Sequence, residues 1–211
     1  MAVNYDKELN QWIGNEKLAL ELLNTGSQLQ LEKSVELVLF RRKLFDKQIS
    51  SIINDHDYAQ KFAGLPITLE ITSNLARSIA KLKLAPSRID LGRLSHEWLN
   101  EGKNFANYDE FVAAKLKDLV GVEKKVLVPR DVVLYGFGRI GRLAARILIE
   151  HAGSGHQLRL KGIVTREHAG DDLEKRASLL RKDSIHGRFA GVVEVDKENN
   201  AIVINGHTVK R

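Results

Sequence analysis

Val132-Val133-Leu134-Tyr135-Gly136-Phe137-Gly138-Arg139-Ile140-Gly141-Arg142 decides how the second half of this chain folds. A β-rich apolar run, Val132 to Tyr135, ends abruptly on glycine. The pattern G-x-G-x-x-G follows, and then apolar residues at helical spacing: Ile140, Leu143, Ala144, Ile147 and Leu148. After a glycine-bearing turn at residues 153–155, a second apolar run extends from Leu158 to Val164. Strand, helix and strand within about 33 residues is the size of a βαβ unit. In such a unit each glycine has a job. Gly136 permits the tight turn off the strand, Gly138 lets backbone approach a pyrophosphate, and Gly141 lets helix pack close on sheet. The helix start then offers unpaired N–H groups and a partial positive charge to phosphates.

Working outward, a further helix fits residues 172–181, and short strands are expected at Val192, Val193 and Val195 and over residues 201–204. Asn205-Gly206 is a hairpin signal leading into Thr208 and Val209. Residues 1–125 read differently, as five or six helices with short connections, an all-α bundle. Leu9, Trp12, Ile13, Leu18 and Leu22 make a first stripe, stopped at Asn24-Thr25-Gly26. A second helix after Ser27 is expected to carry Leu31, Val35, Val38, Leu39, Leu44, Ile49 and Ile52, with the basic cluster Arg41-Arg42-Lys43 on a solvated face. Pro66 is read as opening the next helix, and Ser87 and Asp109 as capping later ones. Trp12 and Trp98 are expected in the core. The fold expected is thus α/β: a helical extension over 1–125, then the first, incomplete part of a Rossmann-like domain over 126–211.

Composition narrows the function. The chain has 211 residues, 43% hydrophobic and 28% charged, as in ordinary globular proteins. Its apolar runs are too short to span a bilayer, and the N-terminus lacks a signal-peptide order, so no membrane role and a cytoplasmic address are expected. The net charge of +6 is uneven: residues 1–125 carry 18 basic against 17 acidic side chains, and 126–211 carry 15 against 10. A basic second half suits phosphate-bearing small molecules; nucleic acid is not expected, because acidic residues flank Arg41-Arg42-Lys43 and no aromatic platform is evident. Seven histidines in no ligand spacing give no metal site. There is no cysteine.

The run Gly136 to Arg142 resembles the N-terminal signature of glyceraldehyde-3-phosphate dehydrogenases, with Tyr135 standing where that family usually has Asn. A second segment is similar too: Lys182-Asp183-Ser184-Ile185-His186-Gly187-Arg188-Phe189 resembles the family's Tyr-Asp-Ser-Thr-His-Gly-Lys/Arg-Phe, departing at Lys182 and Ile185. The resemblance covers residues 126–211 only. It implies binding of NAD or NADP by Gly136, Phe137, Gly138, Arg139, Ile140 and Gly141. It also implies a small-molecule substrate, a homo-oligomer in the full enzyme, and oxidation of an aldehyde to an acyl phosphate through a cysteine thioester. Asp183 and His186 are expected to form a structural corner. No catalytic residue is assigned, and without a thiolate the 211-residue chain is expected to be inactive alone. Erythrose-4-phosphate dehydrogenase and a non-catalytic nucleotide-binding protein remain alternatives. At the end of the second strand, Thr165 and Arg166 are candidate ribose-site residues. Arg166 in place of the usual acid predicts tolerance of NADP, whereas Glu167 in that position would predict NAD.

Overall fold

The computed structural model describes residues 5–120, 128–153, 155, 157–166 and 172–211. The chain divides into two compact units, Met1–Lys125 and Val126–Arg211.

The first unit is mainly helical but not purely so. A long helix α1 (Tyr5–Lys33) leads into strands β1 (Val35–Leu39) and β2 (Arg42–Lys43), then helices α2 (Ile49–Ala63) and α3 (Leu69–Ala80). Strand β3 (Ser87–Asp90), helices α4 (Leu91–Glu101) and α5 (Tyr108–Lys115), and short 3-10 turns at Gly102–Asn104 and Lys117–Leu119 complete it. The three strands form one sheet in the order β2-β1-β3, with β1 and β3 parallel.

This sheet corrects the expectation of one helix from Ser27 through Ile52. Val35, Leu37, Val38 and Leu39 are all buried, and a short apolar run broken only by Glu36 fits a buried strand as well as a helix. What settles it is pairing with Ser87–Asp90, some fifty residues away. Asn24-Thr25-Gly26 does not stop α1, because Leu22, Gly26 and Leu29 are buried on one face, and that packing outweighs the ~1 kcal/mol helical cost of glycine. The expected caps shift by a few residues. Thr68, Asp90 and Asn107 accept the first helical N–H groups of α3, α4 and α5, where Pro66, Ser87 and Asp109 were expected to start them. Arg41-Arg42-Lys43 lies at the β1–β2 hairpin, where Arg42 pairs with Asp55 at 2.6 Å and sits 3.9 Å from the centre of the Tyr58 ring. Trp12 is 44% exposed on α1, whereas Trp98 stacks on Tyr108 at 4.0 Å beside the core.

Buried deep in this unit, His56 is held between two partners. Its Nδ1 donates to the Ile52 carbonyl at 2.7 Å, and its Nε2 lies 2.8 Å from the Thr72 hydroxyl oxygen. Burial pushes its pKa down, against the opposing pull of the Ile52 carbonyl, Asp55 and Asp57. The unfolded chain therefore binds this proton more readily than the folded one. The stability it contributes is complete above about pH 6.5 and is lost as pH falls below it. Both tryptophans belong to this unit, so tryptophan fluorescence in urea reads it within the whole chain. The midpoint is expected to fall between pH 7.5 and 5.5 in the wild type and to move less in His56→Gln; equal slopes would refute the assignment.

The second unit carries strand β4 (Arg130–Tyr135), helix α6 (Arg139–Glu150), strand β5 (Leu158–Val164) and helix α7 (Asp172–Arg181). A two-stranded corner of β6 (Lys182–Asp183) and β7 (Gly187–Arg188) follows, then β8 (Val193–Asp196), β9 (Ala201–Ile204) and β10 (His207–Lys210). The main sheet runs β4-β5-β10-β9-β8. β4, β5 and β10 are parallel, and β8, β9 and β10 form an antiparallel meander. Asn205 and Gly206 turn β9 into β10 with φ of 45° and 80°, the left-handed pair that a tight hairpin requires. The core gathers Phe137, Ala145, Ile149, Leu160, Ile163, Leu180 and Ile202.

One helical face is not the one expected. Ile140 and Ile147 are 76% and 47% exposed, while Ala145, Arg146 and Ile149 are buried. Arg146 accounts for the rotation. Its two terminal nitrogens donate to the carbonyls of Leu180, Gly187 and His186 at 2.6, 3.0 and 3.3 Å, so a charged side chain enters the interior with those donors met, while its Nε has no partner among the described residues.

Candidate nucleotide site

Three parallel strands end side by side on one edge of the sheet: β4 at Tyr135, β5 at Val164 and β10 at Lys210. Open α/β sheets bind ligands at the carboxyl ends of their parallel strands. At this edge Gly136 leaves β4 with φ 97°, and its N–H donates to the Val164 carbonyl at 2.7 Å, extending the β4–β5 pairing by one residue. Gly138 is the N-cap of α6 and offers no side-chain cap. The first N–H groups of α6, those of Arg139, Ile140 and Gly141, consequently lack intrahelical acceptors. A Cβ placed on Gly138 would meet nothing within 4 Å, so the space in front of this helix start is open. A Cβ on Gly141 would lie 2.3 Å from the Gly136 carbonyl oxygen.

Not every residue of the loop faces outward. The Phe137 side chain is 4% exposed and belongs to the core, which leaves only its backbone for a ligand. Arg139 and Ile140 are exposed on the first turn of α6. The Lys182–Phe189 segment braces the loop from behind. Asp183 accepts the N–H groups of Ile185 and His186 at 2.9 and 3.1 Å and pairs with Arg142 at 2.5 Å. Arg142 in turn donates to the Phe137 carbonyl at 3.4 Å. Arg142 first, then the His186 and Ile185 N–H groups, hold the Asp183 carboxyl well below the ordinary carboxylate range.

At the end of β5 the pairing of Val164 with Tyr135 fixes the register, and Thr165 and Arg166 follow directly. Glu167 lies outside the described residues. The Arg166 side chain is exposed, and its carbonyl accepts from Arg176 at 3.2 Å. The Thr165 hydroxyl accepts from Arg211 at 3.2 Å. Arg176 and Arg211 share one oxygen of Asp172, each at 2.9 Å. Sequence reading did not find Asp172 and Arg176, one turn apart on α7, or Arg211, which follows β10. Among the described residues, no group of three or more His, Cys, Asp or Glu side chains could hold a metal ion, and no helix is long and apolar enough to cross a membrane.

Residues 130–211 match the family model for the NAD-binding domain of glyceraldehyde 3-phosphate dehydrogenase. Over this stretch the chain is similar to that domain. A glyceraldehyde-3-phosphate dehydrogenase-like protein of Pseudomonas aeruginosa (strain UCBPP-PA14) is 39% identical over 186 residues, 87% of this chain and 40% of that protein. That span is longer than the second unit, so the likeness takes in most of the helical unit as well. The glyceraldehyde-3-phosphate dehydrogenase of Monascus purpureus is 39% identical over 85 residues, 40% of this chain and 22% of its own length. That of Zymomonas mobilis is 41% identical over 78 residues, 37% and 21% respectively. The chain therefore spans well under half the length of these glyceraldehyde-3-phosphate dehydrogenase relatives.

Proposed function

We propose that the second unit binds NAD or NADP at the edge formed by Gly136, the α6 N-terminus and the end of β5, as the nucleotide-binding part of a dehydrogenase. The observation that carries this reading is the uncapped start of α6, with open space at Gly138, in a stretch similar to this domain. The N–H groups of Arg139, Ile140 and Gly141 and the helix dipole would hold the pyrophosphate. The backbone of Phe137 and Gly138 would lie against it, and Thr165 and Arg166 would face the adenosine ribose. Bound, the nicotinamide accepts or gives a hydride. The reaction proposed is oxidation of glyceraldehyde 3-phosphate with inorganic phosphate to an acyl phosphate, NAD or NADP accepting the hydride. The thiolate for that step is not among these 211 residues, which contain no cysteine.

Gly138→Val tests the site with little risk to the fold. Gly138 has φ −73°, an ordinary value for any residue, and its Cβ position is open. A branched side chain there would stand where the pyrophosphate must lie. Titration calorimetry is expected to show NAD binding to the wild-type chain and a loss of at least about tenfold in the variant, with unchanged thermal unfolding. Undiminished NAD affinity in Gly138→Val would place the dinucleotide elsewhere.

A further inference from the structure

We propose that the end of β5 carries a subsite for a phosphomonoester on the adenosine ribose, built from Arg166, Arg176, Arg211 and the Thr165 hydroxyl; it rests on the dinucleotide reading above. Position comes first. Thr165 and Arg166 follow β5, Arg211 follows β10, and these parallel strands lie next to each other with their carboxyl ends on the edge where the glycine loop opens. In domains of this topology the residue ending the second strand meets the ribose hydroxyls, and in NAD-preferring ones it is acidic. Here Val164 ends the strand, and Thr165 and then Arg166, a guanidinium, follow it.

Charge comes second. The side chains of Arg176, Arg211 and Asp172 are only 12%, 18% and 4% exposed. Two largely buried cations thus share one carboxylate oxygen. Among the described residues the triad sets two guanidiniums against one carboxylate, a surplus positive charge that is costly when buried without compensation, and exposed Arg166 adds another. A doubly charged phosphate beside them would meet that surplus with charge-assisted hydrogen bonds. The Thr165 hydroxyl accepts from Arg211, which leaves its own proton available as a donor to a phosphate oxygen. Asp172 also anchors the end of β10 to α7 through Arg211, so this triad serves the fold whether or not a phosphate binds. The ligand experiment separates the two roles.

The test titrates the whole chain with 5′-AMP, 2′,5′-ADP, NAD, NADP and inorganic phosphate. 2′,5′-ADP is expected to bind at least about tenfold more tightly than 5′-AMP, and NADP more tightly than NAD. Arg166→Asp, on an exposed side chain, is expected to abolish both ratios by weakening 2′,5′-ADP and NADP at least about tenfold. Arg211→Gln is expected to reduce the ratios several-fold. Equal affinity within each pair, or ratios that survive Arg166→Asp, would overturn the subsite. So would inorganic phosphate binding as tightly as 2′,5′-ADP, which would leave simple anion attraction. Normal NAD binding without a 2′-phosphate preference removes the subsite but keeps the dinucleotide site. Failure of all four nucleotides to bind removes both.

Discussion

Gly141→Ala is expected to eliminate measurable NAD binding and to lower the unfolding temperature of the second unit by several degrees. The added methyl would sit 2.3 Å from the Gly136 carbonyl oxygen and 3.2 Å from its carbon. Neither atom is free to retreat. Gly136 has φ 97°, a left-handed conformation of the kind glycine favours, and its N–H is tied to the Val164 carbonyl at 2.7 Å. Relief must come from α6 lifting off the turn, and overpacking of this kind costs about 1–3 kcal/mol. For a unit of this size each kcal/mol is worth roughly 4–8 °C. Lifting α6 also moves the N–H groups proposed to hold the pyrophosphate, so affinity should fall with stability. Gly138→Val, by contrast, should lose affinity alone. Calorimetric unfolding and NAD titration of both variants distinguish these outcomes. A Gly141→Ala chain that melts and binds like the wild type would show that the close approach is dispensable.

The contrast between these glycines explains why the loop was legible in sequence. A backbone that must turn with positive φ, stand open to a ligand and pass within van der Waals contact of a helix leaves one residue type at each point. The same holds at Asn205-Gly206, where the hairpin's left-handed pair is written in the residues themselves. Strands β1 and β3 were not legible, because nothing in Val35–Leu39 distinguishes a buried strand from a buried helix until Ser87–Asp90 pairs with it. Arg146 misled for another reason. A periodicity argument places arginine outside, and only the carbonyls of Leu180, His186 and Gly187 make its burial tolerable. Arg166 was visible as a departure from an expected acid, but its register depended on the pairing of Tyr135 with Val164. Asp172 and Arg176 stand at i,i+4 on α7, a spacing the sequence does show, but Arg211 joins them only in three dimensions, and long-range charge pairing has no sequence period to betray it.

Asp183→Asn is the second substitution with a large expected effect, and it joins stability to the site through Arg142. The Asp183 side chain is 2% exposed, and both of its oxygens are engaged, one by the N–H groups of Ile185 and His186, the other by Arg142. An amide keeps one acceptor and turns the other into a donor. Either way round, an N–H₂ faces an N–H or a guanidinium, and Arg142, itself only 12% exposed, loses its counter-ion. The unfolding temperature at pH 7 is expected to fall by on the order of 5 °C. NAD affinity should fall too, since Arg142 also holds the Phe137 carbonyl inside the glycine loop. The pH dependence has a definite sign. Because Arg142 and the two N–H groups depress the folded-state pKa of this carboxyl, its contribution is complete at neutral pH. It is lost only as pH drops below the unfolded value of about 3.9 toward the folded one. The gap between wild type and Asp183→Asn should therefore be constant from pH 7 to about pH 5 and narrow below about pH 4. Thermal melts of both chains over that range check it. Equal melting at pH 7, or a gap that does not narrow in acid, would show that the Asp183–Arg142 pair does not hold this corner.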